Sequence, residues 1–339
     1  MMRLYSPIAE TASIATVDNM KKIISVFLIL VFVFSFSACQ KEKEVSRTAM
    51  MMDTVVTVTC YGEMAQEGCD KAISEIQRLE FLFSPYIETS EIYKINKNAY
   101  TSPVKTDGEV FDVLKRCREV SEITDGAFDI TLKPLKDVWN MKSESPTVPS
   151  QELIDGALVV CGYKNLILKN GCVFFEKEGM ALDLGGAVKG YAADRAAKVI
   201  KDSGVKNALV DIGGNVYALG KSPKGRKWKI GLQDPKGERG KYFKAIELSD
   251  ETCVTSGSYE RYFEENGKVY HHIMDPKTGY SADSGLISVS VVGKSSFEAD
   301  MASTAAFVMG SEEFLKVKDK LDIEKLITVD KNNSPRKFG

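Results

Sequence analysis

Between Thr54 and Cys60 β-branched residues alternate along the chain, a period-two pattern that predicts a strand. The period changes over Ala65 to Leu82, where Ala72, Ile73, Ile76 and Leu79 recur at helical spacing. Asp107 is placed to cap a second helix, with Val110, Val113, Leu114, Cys117 and Val120 on one face. Pro146 to Pro149 marks a loop. From Leu158 onward the pattern is of short strands, broken by a helix near Val188 to Ile200, and a β-rich stretch runs from about Ala208 to Gly293. Two further helices are predicted over Phe297 to Val308 and Glu312 to Leu321. Helices and strands come in unequal runs rather than strict alternation, so the expected class is α+β rather than a doubly wound sheet.

Composition narrows the reading. The chain is 44% hydrophobic and 27% charged, which is that of a globular protein with a large core. A net charge of -2, with no long block of one sign, gives no basis for nucleic-acid binding. The N-terminus has its own layout. Met20-Lys21-Lys22 precedes an apolar run from Ile23 to Phe36, then Ser37, Ala38 and Cys39, as in a secretory signal. The run is short for a membrane span. A cysteine after Ser-Ala resembles a bacterial lipoprotein signal, which makes Cys39 the expected lipidation site and residues 20–38 the signal peptide. Residues 1–19 fall outside this layout and read as an extension upstream of Met20. Residues 39–48 read as a charged tether, and 49–330 as the folded domain. The remaining six cysteines are scattered singly, without a CxxC, so neither a disulfide framework nor a zinc site is expected.

Five strings carry candidate chemistry. Both histidines of the chain, His271 and His272, open His-His-Ile-Met-Asp-Pro-Lys-Thr-Gly, at the end of a strand-like run from Lys268 to Met274 facing a turn. They are either proton-transfer groups or turn stabilisers. In Leu182 to Tyr191 a predicted strand ends at Gly185-Gly186 and a helix follows, with Lys189 on its first turn. This is either an anion-binding helix N-terminus or a tight strand-to-helix turn. Asp211-Ile212-Gly213-Gly214-Asn215 reads as another turn at a strand end. Asp300 and Thr304 lie four apart on one helix face and offer hard oxygen donors of the kind Mg²⁺ accepts, or else helix caps. Gly126 to Leu135, followed by Trp139, places Phe128 beside Asp129 in a loop between two segments.

Taken together and in order, these strings resemble the ApbE family of lipoprotein flavin transferases (FAD:protein FMN transferases). They are joined by Met52-Asp53-Thr54, Ser84-Pro85-Tyr86, Ser90-Glu91-Ile92 and Thr255-Ser256-Gly257-x-Tyr259. The resemblance covers about residues 49–320. It implies a single catalytic unit of two interleaved α/β subdomains with mostly antiparallel sheets. It also implies one FAD bound with Mg²⁺, cleavage of the FAD pyrophosphate with release of AMP, and attachment of FMN to a Thr or Ser hydroxyl of a target protein. Carried onto this chain, it places Tyr86 on the isoalloxazine ring and Met52 in the same pocket. Ala127, Phe128 and Asp129 then contact the flavin or adenine side, Asp183 holds a polar group of the nucleotide, Lys189 meets phosphate or ribityl oxygens, and Ile273 touches the adenosine half. Gly186, through its carbonyl, and the side chains of Asp300 and Thr304 would hold the metal, and His272 would take the proton of the incoming hydroxyl. The implied partner is a flavoprotein subunit of a membrane redox complex or an exported flavin reductase. The implied location is the outer face of the cytoplasmic membrane, through a lipid anchor. Two other functions fit the same strings: a metal-dependent FAD pyrophosphatase giving FMN and AMP, and a non-catalytic FAD-binding lipoprotein. The family's early Met-Gly-Thr reads Met52-Asp53-Thr54 here, which makes that loop a place to expect a difference.

Overall fold

The computed structural model describes residues 43–238 and 240–339. Cys39 and the signal-like segment lie outside them. Alternating strands build an eight-stranded antiparallel sheet in the order β1 (Glu44–Met51), β2 (Thr54–Tyr61), β6 (Asn207–Ile212), β7 (Asn215–Leu219), β10 (Glu251–Gly257), β13 (Leu286–Gly293), β14 (Lys325–Asp330), β15 (Pro335–Phe338). Three small sheets accompany it: β3 (Val104–Lys105), β5 (Cys172–Phe175) and β4 (Leu166–Lys169); β8 (Trp228–Gln233) with β9 (Tyr242–Leu248); and β11 (Tyr262–Glu265) with β12 (Lys268–His271). The large sheet passes the expected domain limits at both ends. Residues 44–48, expected as tether, are strand. Val45, Arg47 and Ala49 are half-buried between exposed neighbours, and charges on an edge strand hid the alternation. At the other end β15 pairs with β14 beyond residue 330.

The helices are α1 (Ala65–Phe83), α2 (Glu91–Asn98), α3 (Gly108–Ile123), α4 (Lys133–Trp139), α5 (Gln151–Val159), α6 (Val188–Asp202), α7 (Ser296–Met309) and α8 (Ser311–Leu315). Asp107 caps α3 by accepting from Glu109 N, as its position predicted. Of α1, the residues Cys69, Ala72, Ile76, Leu79 and Phe83 are buried at helical spacing. They pack against α6, whose Ala192, Ala193, Ala196 and Ala197 let the two helices approach closely. In turn α6 packs on α7, which is buried on almost every side and is therefore a core helix rather than an amphipathic surface one.

Alternation explains how the sheet is covered on both faces. Val254, Val291 and Leu326 point to the helices, while their neighbours Cys253, Val292 and Ile327 point to the β8–β9 hairpin with Trp228, Leu232 and Leu248. The main core also takes in Leu166, Val173 and Phe175 of the three-stranded sheet, so the interleaved parts of the chain share one core. A separate cluster packs Leu135, Trp139, Ile154, Ala157 and Met274. Three sequence expectations change here. Helix α4 replaces the loop expected after Phe128, because Pro134 opens a helix whose Leu135 and Trp139 share a buried face. The helix expected from Glu312 ends at Leu315 and continues only as a 3₁₀ turn over Lys318–Lys320. Helix α2 is an additional element, capped by Ser90, which accepts from Tyr93 N at 2.9 Å. The six described cysteines are free, four of them buried.

Candidate active site

The segment Leu182–Ala187 is irregular backbone rather than the expected strand. Only Ala181 makes a bridge, to Leu132. A side-chain amide takes the place of a neighbouring strand: Asn96 on α2 accepts from Leu182 N at 2.6 Å and donates to Leu182 O at 3.0 Å. Asp183 N donates to Ile130 O at 2.8 Å. Helix α6 then starts at Val188, with Lys189 on its first turn and its ammonium donating to Gly185 O.

Helices α6 and α7 hold each other by their N-terminal ends. Gly190 N donates to Asp300 Oδ2 at 2.9 Å. In the other direction, Asp194 on α6 accepts from Ser296 N at 2.7 Å, Phe297 N at 3.0 Å and Ser295 Oγ at 2.7 Å. Close approach requires Gly190, because a Cβ there would fall 2.1 Å from Ser296 O. Gly186 faces the next turn of α7, where a Cβ would meet Thr304 Oγ1 at 3.2 Å and Phe128 Cε2 at 3.5 Å. Gly186, Asp300, Thr304 and Phe128 are therefore brought to one place from three distant parts of the chain.

Charge around this point is unevenly compensated. Asp300 is only 3% exposed, and burial pushes its carboxyl up against the opposing pull of Lys189 and the Gly190 amide. Burial would also raise Asp183, but Lys136 Nζ at 2.8 Å and Gly185 N at 2.8 Å hold it down to about 2. His272 is anchored by its backbone N to Arg261 O at 3.1 Å, and its Nδ1 is buried without a partner among the described residues. Burial first, and then the charges of Lys136, Lys189 and Arg261, lower it to about 3, so the imidazole is neutral at neutral pH. His271 ends β12 with Nε2 3.2 Å from Ala282 O and packs edge-on against Phe307, a histidine that shapes the strand end. Ile273 is 7% exposed and its carbonyl accepts from Ala282 N. The following Asp-Pro-Lys-Thr-Gly turn closes with Gly279 N donating to Asp275 O at 2.9 Å, and Trp139 Nε1 secures it through Gly279 O at 2.8 Å.

Tyr86 is 59% exposed, its backbone held by Ser84 Oγ at 3.2 Å. The ammonium groups of Lys133 and Lys142 lie 4.9 and 5.1 Å from its ring centroid. Met52 and Asp53 form the two-residue turn between β1 and β2, both left-handed with φ of 52° and 62°. Aspartate therefore occupies a conformation that glycine would take more easily. Ala127 and Phe128 are buried at 8% and 2% exposure. Asp129 is engaged inside the protein: Oδ1 accepts from Thr131 N and Oγ1, both at 2.7 Å, and Oδ2 from Tyr163 N at 2.9 Å. Its carboxylate builds the loop.

Among the described residues no three His, Cys, Asp or Glu side chains are grouped to hold a metal. The donors that do meet are of another kind: one carboxylate, one hydroxyl and the glycine turn. Such oxygens suit Mg²⁺, which leaves much of its coordination sphere to water and phosphate. Burial disfavours the charged form of the Asp300 carboxylate, and a bound cation would favour it.

The family model for the ApbE family matches residues 52–327. The chain belongs to the ApbE family. Curated relatives include an FAD:protein FMN transferase of Treponema pallidum, 32% identical over 80% of each chain, and one of Klebsiella pneumoniae, 33% identical over 79% of this chain and 83% of its own. Among solved structures, the ApbE protein of Thermotoga maritima superposes with a TM-score of 0.80 at 32% identity, covering 87% of this chain and 96% of its own. Pseudomonas stutzeri flavinyl transferase ApbE, in apo form, gives 0.76 at 27% identity, covering 87% and 94%.

Within this ApbE-family chain, sequence reasoning missed several neighbours of the site. Lys136 is the most consequential. It lies three residues after Lys133 on α4, a spacing that puts both on one helix face, but the segment read as a loop. Arg261 and Lys142 carry no sequence signal, because only the fold brings them to Asp53. Asn215 follows the Gly213-Gly214 turn predicted from sequence. It is 1% exposed, its Nδ2 is unpartnered among the described residues, and it sits beside the Asp300 carboxylate.

Proposed function

We propose that this protein transfers FMN from FAD to a Thr or Ser hydroxyl of a target flavoprotein, with Mg²⁺ required and AMP released. The observation that carries this reading is the approach of Gly186 to Thr304 and of Gly190 to Asp300, with Lys189 acting on Asp300 and, together with Lys136, on the neutral imidazole of His272. The curated relatives named FAD:protein FMN transferase support it.

In this reading Asp300, Thr304 and the Gly186 carbonyl would hold Mg²⁺, which would supply charge neutralisation for the pyrophosphate. Lys189, on the first turn of α6, adds positive charge to the same oxygens. Tyr86 and Met52 seat the flavin ring, with Phe128 at its edge. Asp183, kept ionised by Lys136, accepts a hydrogen bond from the nucleotide. Ile273 packs on the adenosine half. His272 accepts the proton of the acceptor hydroxyl as its oxygen bonds to the FMN phosphorus. The bond from that phosphorus to the bridging oxygen breaks, and AMP departs with the electron pair. Export, with a lipid on Cys39 holding the domain at the outer face of the cytoplasmic membrane, is part of the proposal. A flavoprotein subunit of a membrane redox complex, or an exported flavin reductase, is its expected acceptor.

One experiment tests the chemistry. Purified protein is incubated with FAD, Mg²⁺ and a candidate acceptor domain, and denaturing electrophoresis is read for flavin fluorescence. A labelled acceptor is expected, with labelling lost on chelation and in His272→Ala while that variant still binds FAD. Free FMN without labelled protein would make the protein a pyrophosphatase, and intact FAD a binding protein only. Unchanged labelling in His272→Ala would remove the base.

A further inference from the structure

Asp53 stands at a junction that the proposed chemistry does not use. Its Oδ2 lies 2.6 Å from Arg261 Nη1 and 2.6 Å from Lys142 Nζ. Its backbone carbonyl accepts from Arg261 Nη2 at 2.7 Å, so one guanidinium is fixed at two points on one residue. Each of these cations belongs to a different wall of the site. Arg261 precedes β11, and its carbonyl receives the backbone N–H of His272 at 3.1 Å. Lys142 follows α4 and lies 5.1 Å from the Tyr86 ring centroid. On the near side the neighbouring Met52 N donates to Glu80 Oε1 of α1 at 2.7 Å, which secures the turn from behind. Both turn residues are left-handed, a conformation Asp adopts at a cost that Gly would not meet.

We infer that Asp53 is a positioning residue of the flavin end of this site, tying the turn that carries Met52 to Arg261 beside His272 and to Lys142 over Tyr86. The inference rests on the FAD reading above. The three side chains are substantially exposed, at 53%, 41% and 50% for Asp53, Arg261 and Lys142, so their pairing contributes little to stability. Its effect falls on the spacing of the site, where small displacements are costly to binding. A structural role and a positioning role are therefore separable. The first is read in the melting temperature, the second in affinity for FAD.

Two variants keep the turn and remove the charge. Asp53→Gly favours the left-handed backbone, and Asp53→Asn tolerates it while keeping the side-chain shape. Flavin-fluorescence titration with FAD and Mg²⁺, thermal melting and steady-state labelling are run on both variants and on the wild type. The expected result is a rise of about fivefold in Kd and KM for FAD, with kcat within about twofold, the signature of lost ground-state positioning. Melting temperatures are expected to match the wild type, or to rise for Asp53→Gly. Arg261→Gln should weaken FAD binding similarly, and adding Asp53→Asn to it should cost less than Asp53→Asn costs alone, because the Asp53–Arg261 contact is then already lost and only that to Lys142 remains. Unchanged FAD affinity in both variants overturns the inference. So does a loss that appears only where the melting temperature falls, or full additivity with Arg261→Gln. A wild type that does not bind FAD overturns the functional reading as well, which distinguishes the two failures.

Discussion

At the scale of single residues, the site is set by how charge is distributed around one neutral imidazole. An isolated histidine titrates near 6.5, but burial and three nearby cations take His272 to about 3. The profile of kcat/KM for FAD should therefore lack a histidine inflection near 6.5, since this profile reports the free enzyme. An inflection near 6.5 would show that neither burial nor the cations act on this ring. The sign for stability follows from the same shift. The folded value lies below the unfolded one, so the contribution is complete above about 6.5 and is lost as pH falls toward 3. Over that interval the melting temperature of His272→Gln should depend less steeply on pH than that of the wild type.

At the scale of elements, the decisive relation is between α6 and α7. Each helix supplies a carboxylate to backbone amides at the start of the other, Asp194 to Ser296 and Phe297, and Asp300 to Gly190. The arrangement satisfies N–H groups that a helix leaves unpaired in its first turn. It also sets the distance between the glycine turn and Thr304. Gly190→Ala tests it, because the added methyl meets a backbone carbonyl at 2.1 Å that cannot swing aside. The expected loss is about 1–3 kcal/mol of stability in denaturant unfolding, with Mg²⁺-dependent FAD binding weakened in parallel. A variant with wild-type stability and binding would show that the two helices have slack.

At the scale of the whole molecule, the domain places a buried helix pair and an exposed aromatic on one sheet scaffold, and the site lies where irregular segments from both halves of the chain cross. The Tyr86 ring is exposed, while the Asp300 carboxylate is enclosed. The proposed anchoring is a property of the full chain and is tested on it. Cys39→Ala should abolish incorporation of labelled palmitate and move the protein from the membrane to the soluble fraction after expression in a bacterial host. Incorporation that persists in this variant would remove the lipid from Cys39.

Much of this was legible in the residues. Periodicity located α1, α3, α6 and strand β2, since each buries one face and its apolar spacing reports that face directly, while α7, buried on almost every side, was located by its apolar run. The glycine turns, Asp300 with Thr304, and His272 stood out as strings because each is defined by residue types at short spacings. Short elements held by side chains elsewhere were not: α4, the Asn96-supported segment at Leu182, and edge strand β1 with its charged residues. The pairing of Asp53 with Arg261, and of Lys136 with Asp183, was likewise beyond the sequence, because those partners are brought together only by the closed fold. Sequence determined which residues could do chemistry, through local pattern and residue type. Tertiary structure decided which of them meet, and with what charge, because burial and the proximity of distant cations exist only once the chain is packed.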